Sequence, residues 1–132
     1  MLRPVIRSLV APAVLCATLC GCGGGPSDGE RVHAAAEAFG RASAAKDYQR
    51  LCDELLAPKL VAKVEAVGLP CEVALRQGLG DVREPTLTIG RIRVKGDTAT
   101  AEVQSSAAGE APSHDTLRFV RVGGKWRIAS LG

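Results

Sequence analysis

The chain has 132 residues, 46% of them hydrophobic and 23% charged, with a formal net charge of +3. That length holds one domain with one modest core and excludes two domains of ordinary size; such a domain buries roughly 60–70% of the surface its unfolded chain exposes. The charge is small and no run of like charge occurs, so the clustered basic face of a nucleic-acid binder is missing.

Arg3 and Arg7 precede an uncharged apolar stretch of about 12 residues over 8–19. This is the pattern of an export signal, and it falls short of the ~20 residues a membrane-spanning helix needs. Leu19-Cys20-Gly21-Cys22 follows and resembles the lipobox of bacterial lipoproteins, with Cys20 standing where Ala, Ser or Thr is commoner. Cys16 and Cys20 fail as the modified residue because Leu precedes each. The resemblance implies a lipoprotein signal peptide over 1–21, lipidation of Cys22, and a tether over 22–29 made flexible by Gly23-Gly24-Gly25-Pro26. Two acyl chains on one Cys anchor stably where a single chain binds marginally. The expected location is the extracytoplasmic face of the cell membrane, with the membrane as a partner through the N-terminal lipid. An ordinary cleaved signal and a Cys-x-Cys metal pair are the alternatives, the second lacking about two ligands at suitable spacing. Loss of Arg3 and Arg7 with the signal leaves a net charge of about +1.

Of five Cys, only Cys52 and Cys71 then remain. A pair in an exported protein favours a disulfide, here closing a loop of about 20 residues worth roughly 3 kcal/mol in the chain-entropy model. Two buried free thiols are the alternative.

Ser27-Asp28-Gly29-Glu30 has the spacing of a capping box. Val32, Ala35, Ala36, Phe39 and Ala42 then recur at helical spacing, which predicts a helix to about Lys46 with an alanine-rich inner face. Asp47 is a second N-cap candidate, opening a short helix whose inner face carries Tyr48, Leu51, Cys52 and Leu55. Pro58 closes that helix or opens the next, whose face is Leu60, Val61, Val64 and Val67, ended by Gly68. Pro70 starts a fourth helix with Cys71, Ala74 and Leu75 inward, ended by Gly78 and Gly80.

From Glu84 the period becomes two. Leu87 and Ile89 share one phase and Ile92 and Val94 the other, so a bulge is expected at Gly90-Arg91. A Gly96-Asp97 turn pairs Val94 with Ala99 and Ile92 with Ala101. Residues 105–113 read as a polar loop. A Gly123-Gly124 turn then pairs Arg121 with Trp126, Phe119 with Ile128 and Leu117 with Ser130, bringing Phe119 and Ile128 together on the core face. Trp126 falls near the turn, as a wall or lid, with Arg121 in reach of a cation–π contact.

Helices followed by antiparallel strands predict an α+β architecture. The Asp47-Tyr48 joint, the Cys52/Cys71 pair and the ending Val-Gly-Gly-Lys-Trp-Arg-Ile-Ala resemble the nuclear transport factor 2-like (cystatin-like, SnoaL-like) superfamily, particularly its small lipoproteins from high-GC Gram-positive bacteria. The resemblance spans about Glu30 to Leu131. It implies a domain over 30–132 in which N-terminal helices pack on a curved antiparallel β-sheet to form a cone. Val32, Phe39, Tyr48, Phe119, Trp126 and Ile128 would line that cone. It also leaves room for a homodimer through the sheet.

Enzymes of that superfamily place carboxylates, Tyr or His in the cone. Here Tyr48 shares its phase with Leu51 and Leu55 and reads as core. His33 lies one step off the apolar face of the first helix, and His114-Asp115 marks a strand boundary. The acids fall on caps, outer faces and turns, with no pair set for general acid–base work. No catalytic residue, metal ligand set or cofactor is expected. The resulting expectation is an exported, lipid-anchored, non-catalytic domain that binds a small apolar ligand or an envelope protein. The alternative is a small isomerase- or dehydratase-type enzyme using Tyr48 with an acid or His.

Overall fold

The computed structural model describes residues 24–132; the expected export signal over 1–21 and the expected lipidation site Cys22 lie outside the described residues. The first helix, α1 (Asp28–Ala44), begins at the capping box. Ser27 N–H donates to Glu30 Oε2 at 2.6 Å and Glu30 N–H to Ser27 Oγ at 3.2 Å, so two of the helix's orphan donors are satisfied reciprocally. It ends two residues before the expected Lys46, because Lys46 takes a left-handed backbone with φ 54°. Lys46 N–H then donates to Ser43 O and Asp47 N–H to Ala42 O, closing the helix in a Schellman arrangement.

Asp47 caps α2 (Tyr48–Arg50), accepting from Arg50 N–H at 3.1 Å. A π-helical turn over Leu51–Leu55 continues it, which the sequence did not announce. Its wider winding hands the chain to Leu56, which forms a parallel bridge with Ile128, and Ala57 N–H donates to Ile128 O at 2.7 Å. The helices α3 (Pro58–Glu65) and α4 (Cys71–Leu79) follow. Pro58 opens α3 at its first turn, as proline's fixed φ favours. Val67 was expected on the inner face of α3, but the helix stops at Glu65 and Val67 is 70% exposed. A disulfide joins Cys52 to Cys71, with Cα atoms 6.1 Å apart.

Four antiparallel strands complete the chain in the spatial order β1-β2-β3-β4. They are β1 (Thr86–Lys95), β2 (Thr98–Ser106), β3 (Ser113–Val122) and β4 (Lys125–Leu131). The first hairpin has the expected register, Val94 opposite Ala99 and Ile92 opposite Ala101, with the expected irregularity between Ile89 and Ile92. The last hairpin pairs Arg121 with Trp126 and Phe119 with Ile128 as expected, but then shifts: Leu117 faces Leu131, not Ser130. Ala129 is the extra residue of this bulge. The shift exchanges Ser130 for Leu131 on the face shared with Leu117 and Phe119, so an apolar side chain ends that face, still exposed at its edge.

The core lies between α1 and the sheet. Val32 and Ala36 of α1 meet Ala99, Ala101 and Val103 of β2, Leu117 and Phe119 of β3, and Trp126 and Ile128 of β4. Small residues on both sides let the helix approach closely. Gly40 shows how closely: a Cβ there would stand 3.3 Å from Leu87 Cβ on β1. A second cluster, Ala38, Ala42, Tyr48, Leu51 and Leu55, fills the angle between α1 and the following turns.

The two ends of this layer differ. At the N-terminus of α1, Arg121 donates to Asp28 Oδ2 at 2.8 Å and stands 3.5 Å from Asp97 Oδ1, tying the helix to both hairpin turns. At the opposite end the last turns of α1 overhang the start of β1, the end of β2, the start of β3 and the end of β4. There the layers part.

Candidate ligand-binding site

The parted end forms a cavity of about 250 Å³. Phe39, Gly40 and Ser43 of α1 form its roof, and Leu79, Val82 and Pro85 line it from the segment joining α4 to β1. Thr86 and Leu87 of β1, Ser105 and Ser106 of β2, Ser113 of β3 and Leu131 of β4 supply the floor and far side. Ala107, Glu110 and Ala111 of the connection between β2 and β3 complete the wall. That connection is held by Ala108 N–H donating to Arg83 O at 2.8 Å.

The apolar part of this lining comes from Phe39, Leu79, Val82, Leu87 and Leu131. Two of these, Leu79 and Leu131, are 37% and 53% exposed and stand at the rim. The polar part is a set of hydroxyls. Thr86 Oγ1 and Ser106 Oγ lie 2.6 Å apart, Ser105 Oγ and Ser113 Oγ 2.8 Å apart, and Ser113 Oγ donates to Asp115 Oδ2 at 2.9 Å. Glu110 is the single charged residue of the lining.

Of the six residues expected to line a central cone, Phe39 lines this cavity and the other five do not. Val32, Phe119, Trp126 and Ile128 are packed in the core, with Phe119 and Ile128 at 1% exposure. The reason is the close approach of α1: alanines on the helix and on β2 fill the centre among the described residues, and this cavity lies where α1 ends. Trp126 is therefore a core residue and not a lid, although the cation–π contact exists, with Arg121 Cζ 4.7 Å from the ring centroid. Tyr48 lies in the second cluster, its hydroxyl buried without a partner among the described residues. His33 lies near Glu37 on the outside of α1, 3.9 Å away, and His114 is exposed.

Several lining residues escaped the sequence reading. The regular pairing of Leu117 with Ser130 passes over Leu131, because the bulge at Ala129 has no sequence mark. Leu79 and Val82 fall in the Gly78–Gly80 region, which reads as a helix end. Residues 107–112 carried only a loop signature, and the strands run further into that stretch than expected, to Ser106 and from Ser113. Among the described residues, no three His, Cys, Asp or Glu are grouped to hold a metal ion. No described helix is long and apolar enough to cross a membrane.

The family model described as "Putative lumazine-binding" matches residues 73–131, from α4 to the end of β4. An NTF-2-like protein of unknown function from Silicibacter pomeroyi is similar over 77% of this chain and 90% of its own, with 20% identity and a TM-score of 0.56. A second NTF2-like protein of unknown function, from Shewanella baltica, shares 26% identity over 42% of this chain and 52% of its own, with a TM-score of 0.34. No curated protein matches. The fold is thus nuclear transport factor 2-like: four helices followed by a curved four-stranded antiparallel sheet.

Proposed function

We propose that this chain is an exported, lipid-anchored, non-catalytic domain that holds a small apolar ligand in the cavity beneath the end of α1. The observation that carries the binding reading is the cavity itself: an apolar lining, a rim with exposed Leu79 and Leu131, and a few hydroxyls at one side. Binding sites are of this kind, apolar with a few placed polar groups. The description of the family model that matches residues 73–131 points the same way, to a small ligand. Benzene fills an engineered cavity of about 150 Å³. By that measure about 250 Å³ suits a ligand of roughly ten heavy atoms.

Export and anchoring are supported by Arg3, Arg7, the apolar stretch over 8–19 and the lipobox-like Leu19-Cys20-Gly21-Cys22. The Cys52–Cys71 disulfide fits an oxidising compartment. A catalytic reading has no observation in its favour. Tyr48, the residue on which it depended, lines no part of the cavity.

Titration of the mature domain with 3-phenylpropanol, followed by the methyl resonances of Leu79, Val82, Leu87 and Leu131, tests the binding reading. Saturable shifts confined to those methyls are expected, and Ala107→Phe, which fills the cavity from its wall, abolishes them without unfolding the domain. Shifts that persist in Ala107→Phe would place binding elsewhere. Anchoring is tested separately by fractionation: Cys22→Ala moves the protein from membranes to the soluble fraction, and a variant that stays on membranes contradicts the lipid.

A further inference from the structure

The polar side of the cavity has a direction. In the chain Ser105–Ser113–Asp115, the Ser113 hydroxyl donates to the Asp115 carboxylate at 2.9 Å. Its one hydrogen is spent there, so the 2.8 Å contact between Ser105 Oγ and Ser113 Oγ has Ser105 as donor. Both hydroxyls therefore offer a ligand only lone pairs. The charged member of the lining, Glu110, is likewise an acceptor without hydrogens to give. At the neighbouring pair, Thr86 and Ser106 use one hydrogen on each other and retain one between them. Across the cavity, the Ser43 hydroxyl is buried without a partner among the described residues and keeps its hydrogen. The lining thus retains two side-chain donors against the lone pairs of five hydroxyls and a carboxylate, and it carries negative charge with none of the opposite sign. Lys46 and Arg83 line a separate shallow depression beyond Val82 and Pro85, where Glu84 accompanies them. The Lys46 ammonium there donates to Gly80 O.

We infer that the cavity selects an apolar ligand bearing hydrogen-bond donors, a protonated primary amine above all, and discriminates against carboxylates and other anions. An ammonium group brings three donors and a charge opposite to Glu110. A carboxylate brings only acceptors to acceptors and a like charge. An alcohol of the same shape falls between them. The inference rests on the ligand-binding reading above and adds the chemistry of the polar end.

The test compares three probes that share a phenyl ring and a three-carbon arm: 3-phenylpropylamine, 3-phenylpropanol and 3-phenylpropionate. Each is titrated at low salt and neutral pH against the methyls of Leu79, Val82, Leu87 and Leu131. The expected order is amine, alcohol, acid, with about tenfold between the first and the last, the size expected when one exposed carboxylate attracts one probe and repels the other. Glu110→Gln should weaken the amine about threefold, leave the alcohol unchanged and strengthen the acid. Glu110 lies exposed in the β2–β3 connection and its side chain makes no hydrogen bond among the described residues, so the variant keeps the fold. Added salt should narrow the gap in the wild type and not in the variant. Equal binding of all three probes would overturn the donor preference and leave the cavity as a ligand site. An acid that binds best, or an amine preference untouched by Glu110→Gln, would also overturn it. If no probe shifts those methyls, the ligand-binding reading falls and this inference with it.

Discussion

The Arg121 guanidinium meets Asp28 at 2.8 Å, Asp97 at 3.5 Å and the Trp126 ring at 4.7 Å, so one side chain joins the first helix to both hairpin turns. Its hydrogen bond holds the Asp28 carboxyl below the ordinary value of 3.8, against partial desolvation that works the other way. A depressed folded pKa means stability that is present above the unfolded value and lost as pH falls through the folded one. The wild type should therefore melt above Asp28→Asn at neutral pH, and the gap should close below about pH 4. Glu30, also lowered by its Ser27 partners, titrates in the same window but is common to both proteins. Melting curves that stay parallel down to pH 2.5 would show that the Asp28 charge contributes nothing. Tyr48 makes the opposite case. Its ring packs among Ala38, Ala42, Leu51 and Leu55, while its buried hydroxyl has no partner among the described residues. A satisfied hydrogen bond contributes about 1 kcal/mol, and an unsatisfied buried hydroxyl only costs. Tyr48→Phe should thus keep or slightly raise stability in urea unfolding. A loss of more than about 1 kcal/mol would reveal a bond the hydroxyl makes.

At the level of elements, α3 is the weakest link. None of its residues is buried, and Leu60, Val61 and Val64 are only partly covered against the core. What holds the α3–α4 hairpin is the disulfide, with both cysteines in the core cluster, 19 residues apart in sequence. Removing it as Cys52→Ala/Cys71→Ala should cost about 3 kcal/mol by chain entropy, or roughly 10–20 °C for a domain of this size. Hydrogen exchange should find the loss first in α3 and α4, while the amides of β2 and β3 keep their protection. Uniform loss across the sheet would mean that the hairpin and sheet open as one unit. The elements also show what a sequence carries and what it withholds. Both hairpin turns and most of the register were legible, because glycine turns fix the pairing and the apolar alternation on each strand must match across it. The capping box and the bulge at Gly90-Arg91 were legible for similar local reasons. The bulge at Ala129 was not, since nothing at Ala129-Ser130 departs from an ordinary strand; the exchange of Ser130 for Leu131 is decided by the surface beneath. The π-helical turn is of the same kind. Its residues suit an α-helix, and the wider winding serves the bridge from Leu56 to Ile128.

For the whole molecule, residue identity predicted which side chains turn inward but not where space would be left among them. Val32, Phe119, Trp126 and Ile128 are inward, yet they touch, because packing distance depends on alanines and Gly40 acting together and not on any one position. The cavity consequently lies at one end of the layer, and that end is set relative to the chain's N-terminus. Asp28 begins α1 beside the two hairpin turns, whereas Phe39 and Ser43, about 20 Å further along the helix axis, roof the cavity. The tether from Cys22 to Ser27 is five residues, spanning at most about 18 Å when extended. On the proposed anchoring, the lipid would attach at the end away from the cavity, and the mouth would face the aqueous side. That arrangement would admit a ligand from solution and not by lateral passage out of the bilayer. Anchored protein in phosphatidylcholine vesicles and soluble Cys22→Ala should then bind 3-phenylpropylamine with affinities equal within about twofold, at matched free probe concentration. An anchored form that binds several-fold more weakly, with its Leu79 and Leu131 methyls broadened by lipid, would mean that the rim docks on the membrane and that the domain lies over on its tether. Equal affinity with unperturbed methyls would show the cavity held clear of the surface.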